Sequence, residues 1–189
     1  MPRRGIMAIA LLLGLAACWE LSHGAYIRTK AALAQTLISR AWARTGQTGQ
    51  PVAPWPWADT WPLARLDIPG EDLQLFVLAG ASGRTLAFGP GHVDGTAMPG
   101  ESGNVVISGH RDTHFRFVRR LTVGSRLALR TRDGTSRDYE VQTMEIVDRG
   151  DTRVLQSAGE DRLTLITCYP FDAVVPGGPL RYVVVARRV

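Results

Sequence analysis

From Leu63 to the C-terminus the chain is a series of short apolar, β-branched runs, each cut off by glycine, proline or an Asp-Gly turn. No stretch there carries helical periodicity long enough for a core helix. Seven runs read as strands: 64–68, 73–78, 104–108, 126–131, 137–144, 162–168 and 180–186. Asp133-Gly134, between the fourth and fifth runs, is a hairpin signal. Many short strands with few helices predict an all-β barrel or sandwich. Phe115–Leu121 is expected to form a short helix.

The first third is different. Arg3-Arg4 precede an apolar run from Gly5 to Trp19. Positive charge before such a run marks an export signal. The reading favoured here is an uncleaved anchor over residues 1–23, basic end in the cytoplasm and the remainder outside. Two other fates stay open: cleavage, or lipidation at Cys18, because Leu15-Ala16-Ala17-Cys18 fits a bacterial lipoprotein box. Residues 24–45 read as an amphipathic helix, with Leu33, Leu37, Ile38, Ala41 and Trp42 at helical spacing. Residues 46–61 read as a Gly/Pro-rich linker whose Trp55, Trp57 and Trp61 anchor it to the domain. Residues 62–189 form the barrel domain.

The net charge is +5, almost all from scattered arginines, with Lys30 the only lysine. No basic stripe interleaved with aromatics is present, so nucleic acid is not expected as a partner.

The chemistry sits at strand ends. Leu163–Thr167 leads into Cys168, and Pro170 stops the strand. The other cysteine, Cys18, lies in the apolar N-terminus, so Cys168 has no evident disulfide partner. A lone thiol at a strand end is a candidate nucleophile. Asn104–Ser108 likewise runs into Gly109 and His110, a candidate acid and base. Arg181 opens the final strand after Val175–Pro179, and a guanidinium there suits oxyanion stabilisation or substrate clamping. His92 is read as structural, Arg111 and Asp112 as local orienting residues, and His114 without a catalytic role. His110 and His114 have the i, i+4 spacing of a metal pair, but no third ligand is evident. The carboxylates at Glu71-Asp72, Asp148, Asp151 and Glu160-Asp161 are scattered, and no calcium site is expected. No metal or cofactor is expected in the chemistry.

The segment TLITCYPF, with GHRDTHF upstream and an arginine opening the last strand, resembles the sortases. Phe88–His92, Thr96, Pro99–Glu101 and Gly103-Asn104, with Ala41-Trp42 in the preceding helix, resemble the class D-like sortases and those of Gram-negative bacteria. The resemblance covers Leu63 to the C-terminus well and the first third loosely. It implies an eight-stranded β-barrel with short helices, held on the extracytoplasmic side of a bacterial inner membrane by an N-terminal anchor helix. It also implies a cysteine transpeptidase. The partner would be a secreted protein with an LPXTG-like C-terminal signal, cut between Thr and Gly, and the acyl chain would pass from Cys168 to an amine acceptor. Position by position, Cys168 would be the nucleophile, His110 the acid and base, and Arg181 the oxyanion or substrate clamp. Two alternatives stand beside it: a non-catalytic tethered barrel that binds extended peptides, and a cysteine endopeptidase that only hydrolyses. Specificity would come from the barrel groove and loops such as Gly89–Pro99 and Asp148–Gly159.

Overall fold

The computed structural model describes residues 2–157, 159–175 and 177–189. Ala158 and Pro176, the latter in the loop before the last strand, lie outside the described residues, as do the side chains of Arg3 and Arg4. The chain divides into two units, one reaching to Thr36 and one from Leu37 to Val189.

Helix α1, Pro2–Thr48, forms all of the first unit that is described and the opening of the second. The helix expected over residues 24–45 is therefore part of a longer one, which also takes in residues 46–48 expected in the linker. Within the first unit Ile6, Leu11, Leu12, Leu13 and Leu15 are exposed. By length and composition α1 is able to cross a membrane, its most apolar window having a mean hydropathy of 1.9. Within the second unit Ile38, Ala41 and Thr45 are buried, and Trp42 packs on Phe76 at 6.0 Å.

Eight strands close into one barrel in the order β1-β2-β3-β4-β7-β8-β6-β5. They are β1 Pro62–Ile68, β2 Leu73–Leu78, β3 Gly91–His92, β4 Asn104–Ser108, β5 Arg126–Thr131, β6 Ser136–Asp148, β7 Arg162–Tyr169 and β8 Leu180–Arg188. Alternation decides what faces inward. Pro62, Ala64, Leu66 and Ile68 of β1 are buried and the residues between them are not. Leu127 and Leu129, Leu163 and Leu165, and Val184 and Ala186 fill the interior in the same way. The segment after β4 plugs the core with Phe115, Phe117 and Val118, the last two from a 3₁₀ turn over Arg116–Arg120. Each of these fully buried phenylalanines contributes about 1.5–3 kcal/mol.

The seven strands read from the pattern are all present, and β6 is longer than expected. A bulge between Val141 and Thr143 shifts the register there. Before it Tyr139 and Val141 face inward; beyond it Val147 is buried. The eighth strand, β3, was not legible. It has two residues, neither a strand former. A Cβ on Gly91 would sit 2.2 Å from the Gly80 carbonyl oxygen, so the position admits only glycine. Of the three tryptophans, Trp55 packs edge-on against Phe88 at 4.9 Å. Trp57 is 83% exposed and anchors nothing, which corrects the expectation for it.

Candidate active site

Strand β4 pairs with β7 in parallel, Ser108 opposite Ile166, so both strands end at the same rim. Strand β8 runs antiparallel to β7 with Arg181 directly opposite Cys168. The β4–β7 pairing continues one step past the ladder. The Gly109 N–H donates to the Ile166 carbonyl at 3.1 Å, and the Thr167 hydroxyl donates to the Gly109 carbonyl at 2.7 Å. His110 and Cys168 each follow by one residue.

Alternation then sets the faces. Leu163, Leu165 and Thr167 point inward, which places Cys168 on the outer face with Thr164 and Ile166. Val184 and Ala186 point inward, which places Arg181 outward with Val183. A Cβ on Gly109 would strike the buried Phe115 ring, so position 109 faces inward and 110 outward. Imidazole, thiol and guanidinium thus occupy adjacent strand ends on one outer face.

The Cys168 thiol is free and half-buried, and His110 is exposed. Among the described residues neither has a side-chain hydrogen-bond partner, so both are available to a third molecule. Arg181 is half-buried, and its Nη1 donates to the carbonyls of Gly178 at 2.8 Å and Leu180 at 2.9 Å. These bonds fix its direction, and Asp148 and Asp151 line the cavity beside it. No carboxylate lies within ion-pair distance of it among the described residues. A cavity of about 120 Å³ adjoins Arg181, walled by Val147, Ile166 and Val183 and by Val154 and Leu155 of the β6–β7 loop. A second, polar one of about 130 Å³, with Asn104, Gln156, Arg162 and Thr164 on its wall, shares Val154 with it. Of the two loops expected to contribute to specificity, Asp148–Gly159 supplies Val154, Leu155 and Gln156 to these walls. In the other, Met98 and Pro99 instead line a cavity of about 630 Å³ by the β5–β6 turn, at the far rim and away from the thiol.

His92 is buried. Its Nε2 faces the Ala97 carbonyl at 2.9 Å, an acceptor only, so that nitrogen carries the proton. His92 thus ties down the β3–β4 loop, as its structural reading requires. His114 titrates below the usual histidine range, first because it is partly buried and second because of the charge of His110. Among the described residues no three His, Cys, Asp or Glu side chains gather as a metal site.

Two supporting features were missed or only glimpsed in the sequence. Arg111 is buried and spans two loops. Its Nη1 donates to the Pro170 carbonyl, its Nη2 to the Ala173 carbonyl at 2.6 Å, and its Nε to Asp112 at 3.0 Å. The residue after His110 therefore holds the loop after Cys168. Tyr169, Phe171 and Tyr182 also pack together, with ring centroids 5.0–6.1 Å apart, beneath the same loop. The sequence signal for this was the spacing of Tyr169 and Phe171, two aromatics flanking Pro170.

Fold and rim define a class: single-sheet closed β-barrels that present a free thiol, an imidazole and a guanidinium on one outer face. The sortase domain family matches residues 66–189. The chain belongs to the sortase family. It is 38% identical over 125 residues to Sortase D of Bacillus subtilis (strain 168), covering 66% of this chain and 62% of that relative, which is less than two thirds of its length. That likeness agrees with the class D-like expectation. Among solved structures, Sortase A from Corynebacterium diphtheriae superimposes with a TM-score of 0.62 at 31% identity, over 70% of this chain and 63% of that one. A Sortase D5 transpeptidase of Clostridium perfringens shares the fold, with a TM-score of 0.67 at 24% identity, over 84% of this chain and 99% of that one.

Proposed function

We propose that the protein is a membrane-anchored cysteine transpeptidase that cleaves an LPXTG-like C-terminal sorting signal and passes the acyl chain to an amine. The observation that carries this reading is the strand register, which sets His110, Cys168 and Arg181 on one outer face at three neighbouring strand ends. A barrel that merely bound peptides needs no such grouping.

The chemistry follows from the residue types. The Cys168 thiol passes its proton to His110 as Sγ attacks the Thr carbonyl of the Thr-Gly bond, and the carbonyl oxygen becomes an oxyanion beside Arg181. Collapse breaks the C–N bond, and the leaving glycine amine takes its proton from His110. The thioester then receives an amine. The C–S bond breaks, an amide forms, and the proton lost by the amine returns through His110 to the thiolate. Val147, Val154, Leu155, Ile166 and Val183 give the cavity beside Arg181 an aliphatic side that suits an aliphatic side chain of the signal, with Asp148, Arg149, Asp151 and Thr152 completing its wall. Residues 1–23 serve as the anchor, 24–45 as the amphipathic continuation and 46–61 as the linker, and the barrel 62–189 works outside the inner membrane. The apolar character of α1 supports the anchor.

The test is cleavage of a fluorogenic LPXTG-like peptide by the purified protein, with and without triglycine. Cys168→Ala is expected to abolish cleavage and His110→Ala to lower it by at least about 1,000-fold. A ligated product with triglycine separates transfer from hydrolysis. Cleavage that survives Cys168→Ala refutes the proposal.

A further inference from the structure

A further recess opens where the loop after His110 meets the loop after Cys168. It measures about 230 Å³ and is lined by Arg111, Asp112, Arg116, Arg119 and Phe171. Three guanidinium groups face one carboxylate, and that carboxylate already accepts from Arg111. Arg116 and Arg119 lie three residues apart in a 3₁₀ turn, whose period of three puts them on one face. Both are exposed. Neither has an ion-pair or side-chain hydrogen-bond partner among the described residues, whereas the next arginine, Arg120, is paired with Glu71. Unpaired like charges grouped in a concavity give it a positive potential that attracts an anion. Planar guanidinium forks are suited to carboxylates and phosphates.

We propose that this recess binds an anionic group carried by the acceptor amine. The inference rests on the transpeptidase reading above. The cavity beside Arg181 and the β6–β7 loop lies on the β8 side of Cys168 and suits the acyl donor. An incoming amine must approach where His110 can take its proton, on the β4 side. There Arg111 follows His110 directly, and Phe171 lies three residues past Cys168. An amine with a carboxylate or phosphate a few bonds away places its nitrogen at the thioester and its anion against Arg116 and Arg119. Phe171 covers the apolar bonds between. The acceptor class is thus an anionic primary amine.

The experiment measures the half-saturating concentration of paired acceptors on the full chain. The pairs are triglycine against triglycinamide, and 2-aminoethyl phosphate against ethanolamine. Within whichever pair matches the natural anion, the charged member is expected to saturate at about fivefold to tenfold lower concentration at low salt, and the gap narrows at high salt. In Arg116→Gln/Arg119→Gln the ratio within the pair falls to about one. A ratio is insensitive to a general loss of activity. The proposal is overturned if neither pair shows a preference, or if the preference survives the double substitution. Backbone amide shifts of residues 111–120, followed while each acceptor is titrated into Cys168→Ser protein, read the same binding without turnover. An inactive wild-type enzyme therefore counts against the transpeptidase reading, and unmoved shifts count against this recess.

Discussion

Substituting Gly109 by alanine probes the coupling between core and rim most directly. The new Cβ would lie 2.6, 2.7 and 2.9 Å from Cγ, Cδ1 and Cδ2 of Phe115. Ordinary contact begins at 3.4 Å, so the ring must retreat by about 0.8 Å. It has nowhere to go: Phe115 is fully buried and packs edge-on against Phe117 at 5.6 Å. The backbone cannot yield either, because Gly109 is bonded to Ile166 and Thr167. Overpacking of this kind costs about 1–3 kcal/mol. The strain also reaches His110, whose carbonyl accepts from the Phe115 N–H at 3.0 Å. A displacement near 1 Å at a reacting group lowers turnover by up to about 100-fold. Urea unfolding and peptide cleavage measure the two effects. Gly109→Ala/Phe115→Leu should lose less than the sum of its single substitutions, by about 0.5–3 kcal/mol. The reasoning is wrong if Gly109→Ala unfolds within about 0.5 kcal/mol of wild type at full activity, or if the two substitutions simply add.

Thr167→Val removes the donor to the Gly109 carbonyl and should cost about 1–3 kcal/mol in denaturant unfolding, while Thr167→Ser restores most of it; equal losses in both variants would point to packing instead. Arg111→Lys cannot span the Pro170 and Ala173 carbonyls together, so hydrogen exchange in the loop after Cys168 should quicken and cleavage should fall about tenfold, with unchanged exchange speaking against the tie. The Asp161 carboxyl is held below its ordinary value of 3.8 by the Gly103 N–H first and by Arg188 second. Its folded pKa is depressed, so its stabilising contribution is present above about pH 4 and is lost as pH falls through the folded value. Asp161→Asn should flatten that part of the acid-unfolding curve, and an unchanged curve would show that other carboxylates set it.

Much of the barrel was legible because its strands obey simple alternation, as in β1, or end at recognisable turns, as at Asp133-Gly134. What failed to show had physical reasons. Strand β3 is too short to hold a pattern, and its Gly91 is there for a close backbone approach rather than for strand propensity. The bulge at Val141/Thr143 broke the period that would have carried β6 to Asp148. At the rim, the sequence placed His110, Cys168 and Arg181 at strand ends. Their adjacency depends on β4 pairing with β7 rather than with a nearer strand, and no local pattern encodes that choice. The same holds for Arg111, which read as an orienting residue, while its partners Pro170 and Ala173 lie about sixty residues away. Nor was the Arg116–Arg119 face visible before the 3₁₀ turn and Phe171 were set side by side.

The parallel joint between β4 and β7 also sets an order of events. Its partners Asn104 and Arg162 are 58 residues apart (162 − 104). The turn between β5 and β6 spans only residues 132–135. Closing the longer loop costs about 2 kcal/mol more in chain entropy than closing the shorter one. The hairpin therefore forms early, and the seam between β4 and β7 closes late. Until it does, Cys168 can lie on a β7 already paired with β8, opposite Arg181, but it has no imidazole beside it, because His110 is still on a separate strand end. A chain crossing a membrane unfolded would carry its chemistry in separate pieces and become reactive only once the barrel had shut. Latency of this kind needs no propeptide or inhibitor, because it is written into the strand order.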